Sequence, residues 1–330
     1  MFSPSTAFLV LVSISSITFA APVQSNTISL QNTAGTQSTF ANINGNMAQS
    51  GQSNSISTSG NVANGAQIIS GVVANNILQS GTQVNSVVNN GIRTNGVQTI
   101  EGGIIGNQLV GAGTQINQVS TIGNFGSLGQ KHTGQISQNV NANGEQQNAV
   151  NLSNNWTHRD GTTIGTINQN AANGAQTNNV NVNANHATWA QTNGCSIQQN
   201  GAQGNQVNGC NVIGNDPTTQ TNFGVIGSNV AAGSQANAIN VLSNWNSNVQ
   251  FNQGQITKNV AGQSQSNSIN IAGNFGGIQT NTASIDQNLA RVHQANSISG
   301  SGNVGGSAQT NQATVFGNIN SAWLNIPKVF

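Results

Sequence analysis

Amide and apolar side chains recur along this chain in a fixed order, with a period of about 15 residues. In the copy that begins at Gln265, Asn267 follows two places later, and Ile269 and Ile271 follow after four and six places. Residues of one parity in a β-strand point to the same face, so these four side chains are predicted to share one face. Each copy therefore predicts a strand of about seven residues, followed by a turn rich in Gly, Asn and Ser.

Such a strand cannot bury its face alone, but copies stacked at about 4.8 Å can, because each backbone group then pairs with the copies above and below. Stacking places like residues in columns, numbered from the Gln at position 0: Asn at +2, apolar residues at +4 and +6, and a second Asn at +9. In a column each amide donates to the next carbonyl, so buried Gln and Asn satisfy one another. The predicted ladder residues are Gln176, Gln191, Gln206, Gln235, Gln250, Gln265, Asn178, Asn193, Asn208, Asn237, Asn252 and Asn267.

Alternate copies differ at position +10, which indicates that the full repeat is about 30 residues long. One set carries an aromatic residue there, at Phe125, Trp156, Trp245 and Phe275. We therefore predict an all-β chain with a single β-solenoid over residues 21–320, two strands in each rung, about ten rungs and a length of ~50 Å. The alternative is a small triangular coil with one copy per rung, about twenty rungs and twice that length.

The two cysteines, Cys195 and Cys210, both occupy position +4 and both follow the string Asn-Gly. An even cysteine count in a chain expected outside the cell suggests a disulfide. In a one-copy rung the two residues would stack within bridging distance. In a two-strand rung they face each other across the core, where the typical sheet spacing is too wide unless the flanking glycines let the sheets approach. Two small buried thiols are the alternative to a bond.

Both ends of the chain depart from the repeat. Residues 1–20 form an apolar run interspersed with Ser and end in Thr18-Phe-Ala20, which is typical of a secretory signal peptide, although a basic start is missing. Residues 321–330, with Trp323 and Pro327, are predicted to be a tail that covers the other end. We therefore expect a secreted protein that is extracellular or held at a cell surface or wall.

Composition narrows the possible partners. Charged residues make up 3% of the chain, and the net charge of +1 gives nothing that would attract nucleic acid. A charge in a column would repel its own copy, so this scarcity follows from stacking. No apolar run beyond the first twenty residues is long enough to span a bilayer. The Asn and Gln content also fits a disordered, prion-like tract, but regular Val and Ile pairs argue against it.

N-glycosylation sequons occur at Asn151 and Asn155, in a copy that departs from the pattern. His158-Arg-Asp160 follows and holds a good share of the few charges. We expect Asn155 to Thr163 to form a looser surface loop, with both sequons as candidate glycan sites.

No pattern in the chain predicts catalysis, a cofactor or a metal site. Glycoside hydrolysis needs a convergent pair of carboxylates, and the acids lie in different copies without a common phase. They are Glu101, Glu145, Asp160, Asp216 and Asp286. The four histidines lack metal-ligand spacing. The aromatic residues at +10 are predicted either to close a corner of the core or to form an edge on which sugars stack.

The strand string Gln-x-Asn-x-Val-x-Val, with inward amide ladders and a two-strand rung, resembles the curli-type amyloid subunits of bacterial biofilms. The likeness covers most of residues 24–318 in style, but the period and the placement of Gly and Ser differ from that family. It is a resemblance of class, which implies a β-solenoid able to polymerise and transfers no site residue.

These observations favour a secreted, non-catalytic structural protein of an extracellular coat, wall or matrix that assembles end to end into amyloid-like fibres. The expected partners are further copies of the chain or a wall or matrix polysaccharide. One alternative is an ice-binding solenoid, although no Thr-x-Thr column persists through the copies. The other is a surface adhesin that presents its aromatic edge to polysaccharide.

Overall fold

Every element of this chain that the structure describes is a β-strand. The computed structural model describes residues 7–15, 21–31, 33–245 and 248–320. The first twelve strands are β1 (Ala7–Ser15), β2 (Ala21–Leu30), β3 (Thr33–Ala34), β4 (Thr36–Asn44), β5 (Met47–Ser59), β6 (Val62–Ala63), β7 (Gln67–Ala74), β8 (Ile77–Leu78), β9 (Gly81–Asn90), β10 (Arg93–Thr94), β11 (Val97–Ile105) and β12 (Gln108–Ile122). The next twelve are β13 (Phe125–Gly126), β14 (Gly129–Ser137), β15 (Val140–Ser153), β16 (Trp156–Thr157), β17 (Gly161–Asn168), β18 (Ala171–Ala172), β19 (Gln176–Asn183), β20 (His186–Ala187), β21 (Ala190–Gln198), β22 (Gly201–Ala202), β23 (Gln206–Ile213) and β24 (Thr219–Gly227). The last ten are β25 (Val230–Ala231), β26 (Gln235–Leu242), β27 (Val249–Thr257), β28 (Val260–Ala261), β29 (Ser264–Ala272), β30 (Phe275–Asp286), β31 (Leu289–Ala290), β32 (His293–Ser299), β33 (Val304–Phe316) and β34 (Ile319–Asn320).

The long strands form two parallel sheets that face each other across one core. Sheet 1 contains, in order, β1, β4, β7, β11, β14, β17, β21, β24, β27, β30 and β33. Sheet 2 contains β2, β5, β9, β12, β15, β19, β23, β26, β29 and β32. Gln265 pairs with Gln235 on one side and with Gln294 on the other, so successive members of a column are about 30 residues apart. The two-strand rung is confirmed, and the one-copy coil is wrong.

The two interior faces differ at position +4, and this difference sets the spacing between the sheets. Sheet 2 carries Val or Ile there, whereas sheet 1 carries mostly Gly. A Cβ placed on Gly134 would lie 2.5 Å from Cγ1 of Val150, and one on Gly165 would lie 2.4 Å from Cγ1 of Val180. These distances are well below van der Waals contact, so the glycine column lets the opposite side chains fill the space against the backbone. At +6, sheet 1 returns to buried Ile and Val.

From Gly45 to Gly317, a residue with left-handed backbone conformation turns the chain at position +8 of each copy, just before the corner Asn or, in one copy, Ile92. Gly fills many of these positions at no steric cost, as at Gly45 and Gly214. Ten are other residues: Asn75, Gln138, Asn154, Gln169, Ala184, Gln199, Ser228, Ser243, Lys258 and Gln287. Two-residue strands such as β16 and β18 then extend the corner from rung to rung.

The segment at 155–163, predicted as a loose loop, is mostly regular. Trp156 and Thr157 form β16, and β17 begins at Gly161, so only residues 158–160 lie between strands. The prediction was wrong because Asn155 and Trp156 continue the +9 and +10 columns, and because Gly161 occupies the place of the missing Gln.

At the first rung, β1 pairs with β4 along its whole length, from Ala7 with Thr36 to Ser15 with Asn44. This strand lies within the predicted signal peptide, whose other residues, 1–6 and 16–20, are outside the described part of the chain. The predicted tail at 321–330 is also outside it. The signal peptide and the covering tail stay predictions.

Candidate functional site

Two amide ladders in sheet 2 run unbroken through all ten of its rungs. Each Gln Nε2 donates to the Gln Oε1 of the preceding rung over 2.6–3.4 Å. Each Asn Nδ2 at +2 donates the other way, to the Asn Oδ1 of the following rung, over 2.7–3.0 Å. The amide dipoles of the two columns therefore oppose each other. The predicted residues in these ladders are Gln176, Gln206, Gln235, Gln265, Asn178, Asn208, Asn237 and Asn267.

The corresponding ladders of sheet 1 are interrupted. Gln250 donates to Gln220 over 2.8 Å, and the Asn ladder runs through the predicted residues Asn193 and Asn252. Gly161, however, stands where the rung before Gln191 should supply an amide. Gln191 Oε1 and Gln220 Nε2 are buried without a hydrogen-bond partner. The predicted ladder residue Gln191 thus lies in its column but makes no bond to Gln220.

The corner Asn at +9 forms two further ladders, one after each sheet. Its residues were not among the predicted ladder residues, although this Asn recurs in the sequence. Asn170 is representative: its backbone N–H and its Nδ2 both donate to Oδ1 of Asn200, over 3.1 and 3.0 Å. The same Nδ2 lies 3.2 Å from the carbonyl oxygen of Ile136. Each corner is therefore fastened to the next by side-chain and backbone bonds, which stiffens the coil along its axis.

Asn155, one of the two sequon residues, belongs to the corner ladder that follows sheet 2. Its side chain is 1% exposed, and its Nδ2 donates to Oδ1 of Asn185 over 2.9 Å. The same nitrogen donates to the carbonyl oxygen of Thr121 over 3.3 Å, so a glycan, which replaces one amide hydrogen, would break one of the two bonds and could not fit in the folded rung. Asn151 lies instead on the outer face of sheet 2, half-buried, where it accepts a bond of 2.8 Å from Asn181. Only Asn151 is compatible with a glycan on the finished fold.

Cys195 and Cys210 form a disulfide across the core, from β21 in sheet 1 to β23 in sheet 2, with Cα atoms 5.8 Å apart. Facing sheets usually lie about 10 Å apart, a spacing that would forbid the bond. The glycine column resolves the conflict, because Cys195 replaces a Gly and Cys210 replaces a Val or Ile in rungs that are already close. The flanking Gly194 serves a different purpose, since it lies beneath the ring of Phe223 on the outer face.

His132 is a buried titratable group in the +2 column of sheet 1, between Ile100 and Thr163. Both of its ring nitrogens are without a hydrogen-bond partner. Burial in this apolar setting disfavours the charged ring and lowers the pKa of His132 from 6.5 to about 3. His132 is therefore neutral in the folded protein at ordinary pH and supplies no charge to the core.

The predicted aromatic edge forms one column, but as two separate pairs. Phe125 and Trp156 stack with ring centroids 4.8 Å apart, and Trp245 and Phe275 lie at the same centroid distance. Between the pairs the column holds His186 and Asp216, whose Nδ1 and carboxylate oxygen are 3.8 Å apart. Rings stacked along the column cover each other's faces, which matches the role of closing a corner.

Part of this edge remains open to solvent. Trp245 is 60% exposed, and a shallow groove of about 400 Å³ is lined by Val62, Arg93, Phe125 and Trp156 among others. Trp189, which sequence reasoning did not single out, is 59% exposed and has the Arg159 guanidinium 5.5 Å from its ring centroid. These features provide apolar and cationic contacts on one side of the rod.

The outer face of sheet 1 carries a column of threonines that was not predicted from the sequence. At position +1, Thr162 pairs with Thr192, which pairs with Thr221, and Thr280 pairs with Thr310. Lys131 and Phe251 interrupt the column. No second threonine column runs beside it in the paired strands, since position +3 holds residues as different as Ile164 and Gln253.

The described residues contain no group of three or more His, Cys, Asp or Glu placed to bind a metal ion. Within the same part of the chain there is no helix long and apolar enough to cross a membrane. Comparisons with protein-family models, curated proteins and solved structures find no match for this chain.

Proposed function

We propose that this chain is a secreted, non-catalytic structural protein of an extracellular coat, wall or matrix, and that copies add end to end into amyloid-like fibres. The observation that carries the proposal is the set of in-register amide ladders that run to both ends of the stack. A ladder that ends on a solvent-exposed rung is a template for one more identical rung.

The exposed last rung supports this reading. In sheet 1 the +6 residue Ile285 is fully buried, whereas its neighbour Val315 in the last rung is 53% exposed. Stable solenoids usually finish in a polar or charged cap, and within the described residues no strand pairs with the outer edge of β33. A rod with such an end gains buried apolar area by adding a copy.

The test is electron microscopy of the form that begins at Ala21, followed over time and combined with thioflavin fluorescence. Filaments that are one rod wide and lengthen with time would support the proposal if fragments of preformed filaments also seed their growth. A protein that stays as single rods at every concentration and time examined would overturn it.

A second candidate is binding to a wall or matrix polysaccharide through the aromatic edge. It is favoured by the exposed Trp245 and by the groove beside Arg93, both on one side of the rod. Retention of the protein on insoluble chitin, glucan or cellulose, lost on Trp245→Ala and kept on Phe251→Ala, would support it. Phe251 is the control because it is also exposed but lies on sheet 1.

Ice binding, the remaining alternative, requires a regular array of hydroxyls. The interruptions at Lys131 and Phe251 make the threonine column of sheet 1 short. Thermal hysteresis in solutions of the purified protein would support ice binding.

A further inference from the structure

We propose that the outer edges of β2 and β4 form the docking surface for the last rung of a second copy, and that residues 7–15 cover the β4 half of this surface until the predicted signal peptide is removed. The inference rests on the proposed end-to-end assembly. It specifies the interface between copies, the register of their strands and the segment that blocks assembly.

Gln37 and Thr39 are buried members of the first full rung, each 1% exposed. Gln37 Nε2 and Thr39 Oγ1 have no hydrogen-bond partner. In most other rungs of this column the Gln amide donates to the Gln of the preceding rung, as Gln67 does to Gln37 and Gln98 does to Gln67. An unpaired buried amide of this kind is costly, so β4 lacks the neighbour for which its side chains are suited.

The neighbour that β4 has is β1, and β1 supplies the wrong residue types. Phe8 is the register partner of Gln37, and Val10 is the register partner of Thr39. Neither Phe nor Val carries a side-chain group that can accept or donate a hydrogen bond. The backbone of β1 therefore extends the sheet, while its sequence leaves the ladder of β4 unfinished.

The last rung of the molecule offers the missing groups in the same positions. Extending the columns by one rung would set Gln309 against Gln37 and Asn311 against Thr39. Gln309 Nε2 already donates to Gln279 over 3.0 Å, so its Oε1 points onward along the ladder, toward the Nε2 of Gln37 in the next copy. The other matched pairs would be Ala313 with Ala41, Val315 with Ile43, Gln294 with Gln24, Asn296 with Asn26 and Ile298 with Ile28.

Charged side chains are scarce at both ends of the stack, so few would oppose this contact. The sequence has no Asp, Glu, Lys, Arg or His between residues 21 and 92, and none between 294 and 327. Natural edge strands are commonly protected by inward-pointing or flanking charges, especially Lys. At the C-terminal end an open cleft of about 190 Å³ reaches the core between Ile271, Ala283, Ile298 and Ala313. The sparsely charged rims and the open core fit a second copy of this chain.

A cross-link between copies tests the register directly. In the form that begins at Ala21, one preparation carries Ala41→Cys and another carries Ala313→Cys, with the native disulfide intact. The two positions stand nine strand spacings apart within one molecule, roughly 43 Å, so they can join only between copies. In adjacent parallel strands they would lie about 4.8 Å apart at Cα, within bridging range.

The expected result is a covalent heterodimer when the two preparations are mixed and oxidised. The matched control pairs Ala41→Cys with Thr314→Cys, which is one residue out of register and on the other face of β33, and should give at least tenfold less product. The chain of residues 1–330 carrying Ala41→Cys should also give at least tenfold less product, because β1 occupies the edge.

Three of the four outcomes separate this inference from the proposed function. Fibres that form without the 41–313 cross-link would overturn the docking surface and leave assembly standing. Equal cross-linking by residues 1–330 and 21–330 would overturn the covering role of residues 7–15. Slow alkylation of the introduced thiol of Ala313→Cys in the monomer would mean that residues 321–330 cover the outer edge of β33. That result would overturn the proposal that a second copy binds there. Absence of both fibres and cross-links would overturn the inference and the proposed function together.

Discussion

Cys195 stands in the glycine column of sheet 1, directly opposite Cys210 in the valine and isoleucine column of sheet 2, and the two are joined by a disulfide with Cα atoms 5.8 Å apart. The neighbouring rungs fill the same space with a Gly opposite a Val or Ile, as at Gly165 and Val180. One small and one branched residue are thus exchanged for two of intermediate size. The bond lies inside the regular rung and does not distort its register.

Removing the disulfide should test this exchange. In the double variant Cys195→Ser, Cys210→Ser, loss of the bond should lower the unfolding free energy by about 3 kcal/mol, the value expected for a loop of about 15 residues. The two hydroxyl groups that this variant buries should lower the unfolding free energy further. The double variant Cys195→Gly, Cys210→Val also lacks the bond but restores the packing of the adjacent rungs. It should therefore be the more stable of the two in denaturant titrations. Equal unfolding midpoints for the two double variants would contradict the claim that the two cysteines take the packing places of a Gly and a Val or Ile.

The glycine column should tolerate no added methyl group. Gly165→Ala places a Cβ 2.4 Å from Cγ1 of Val180, so it should destabilise the protein by roughly 1–3 kcal/mol. Gly103→Ala is the matched control, since its Cβ would meet nothing closer than 3.6 Å. Adding Val180→Ala should recover part of the loss, because it removes the clashing methyl group. Thermal unfolding of the three proteins measures the effect, and an unperturbed Gly165→Ala protein would show that the sheets are further apart.

Strain at one corner offers a stabilising substitution. Ala184 has φ 50°, a left-handed conformation that costs a residue with a Cβ roughly 1 kcal/mol or more relative to Gly. Ala184→Gly should therefore raise the unfolding midpoint. Ala238→Gly, in the interior of the sheet 2 strand β26, should lower stability by roughly 0.5–1 kcal/mol instead. A loss of stability in both variants would contradict the corner geometry.

The stability of the folded protein should depend on pH through His132. Its folded-state pKa of about 3 is below the value of 6.5 expected in the unfolded chain, so the unfolded state binds more protons between these values. The full stability is present above pH 6.5 and falls as the pH is lowered toward 3. His132→Asn, which installs the residue found lower in the same column at Asn193, should remove this part of the slope. Identical slopes for the two proteins between pH 6.5 and 4 would contradict the buried neutral ring.

The sequon at Asn155 should stay unmodified on the folded protein. Its amide is consumed in the corner ladder, whereas Asn151 lies on an outer face. Mass spectrometry of the protein secreted from a glycosylating host should find glycan at Asn151 only. Asn155→Gln should lower stability, because it breaks the bond to Asn185, while Asn151→Gln should leave it nearly unchanged. A fully folded protein with glycan at Asn155 would contradict the ladder.

Much of the fold follows from the spacing of amides and apolar residues. Gln265, Asn267, Ile269 and Ile271 define the strand, its inward face and the ladders without further information. The difference between the two half-rungs was harder to see, because copies with Val180 and Val182 display the pattern more clearly than copies with Gly165 and Ile167. The glycine column then determines how closely the sheets pack, which residue spacing within one copy does not reveal.

The surface and corners were less predictable for a related reason. Asn155 satisfies a glycosylation sequon and the +9 ladder at once, and only the stacked neighbours Asn124 and Asn185 decide between them. The threonine column likewise emerges only when Thr162, Thr192 and Thr221 are brought into register. Which ligand the exposed aromatic residues contact depends on a partner surface that the chain does not contain.

The 30-residue, two-strand rung is tested most directly by a pair of engineered disulfides. Ala238 and Ser268 are register partners on the outer face of sheet 2, 30 positions apart, whereas Ala238 and Gln253 are 15 positions apart and lie on opposite faces of the rod. Under mild oxidation, Ala238→Cys with Ser268→Cys should form an intramolecular bond in monomeric protein, and Ala238→Cys with Gln253→Cys should not. The reverse result would mean that each rung contains a single copy, and it would contradict the arrangement of both sheets.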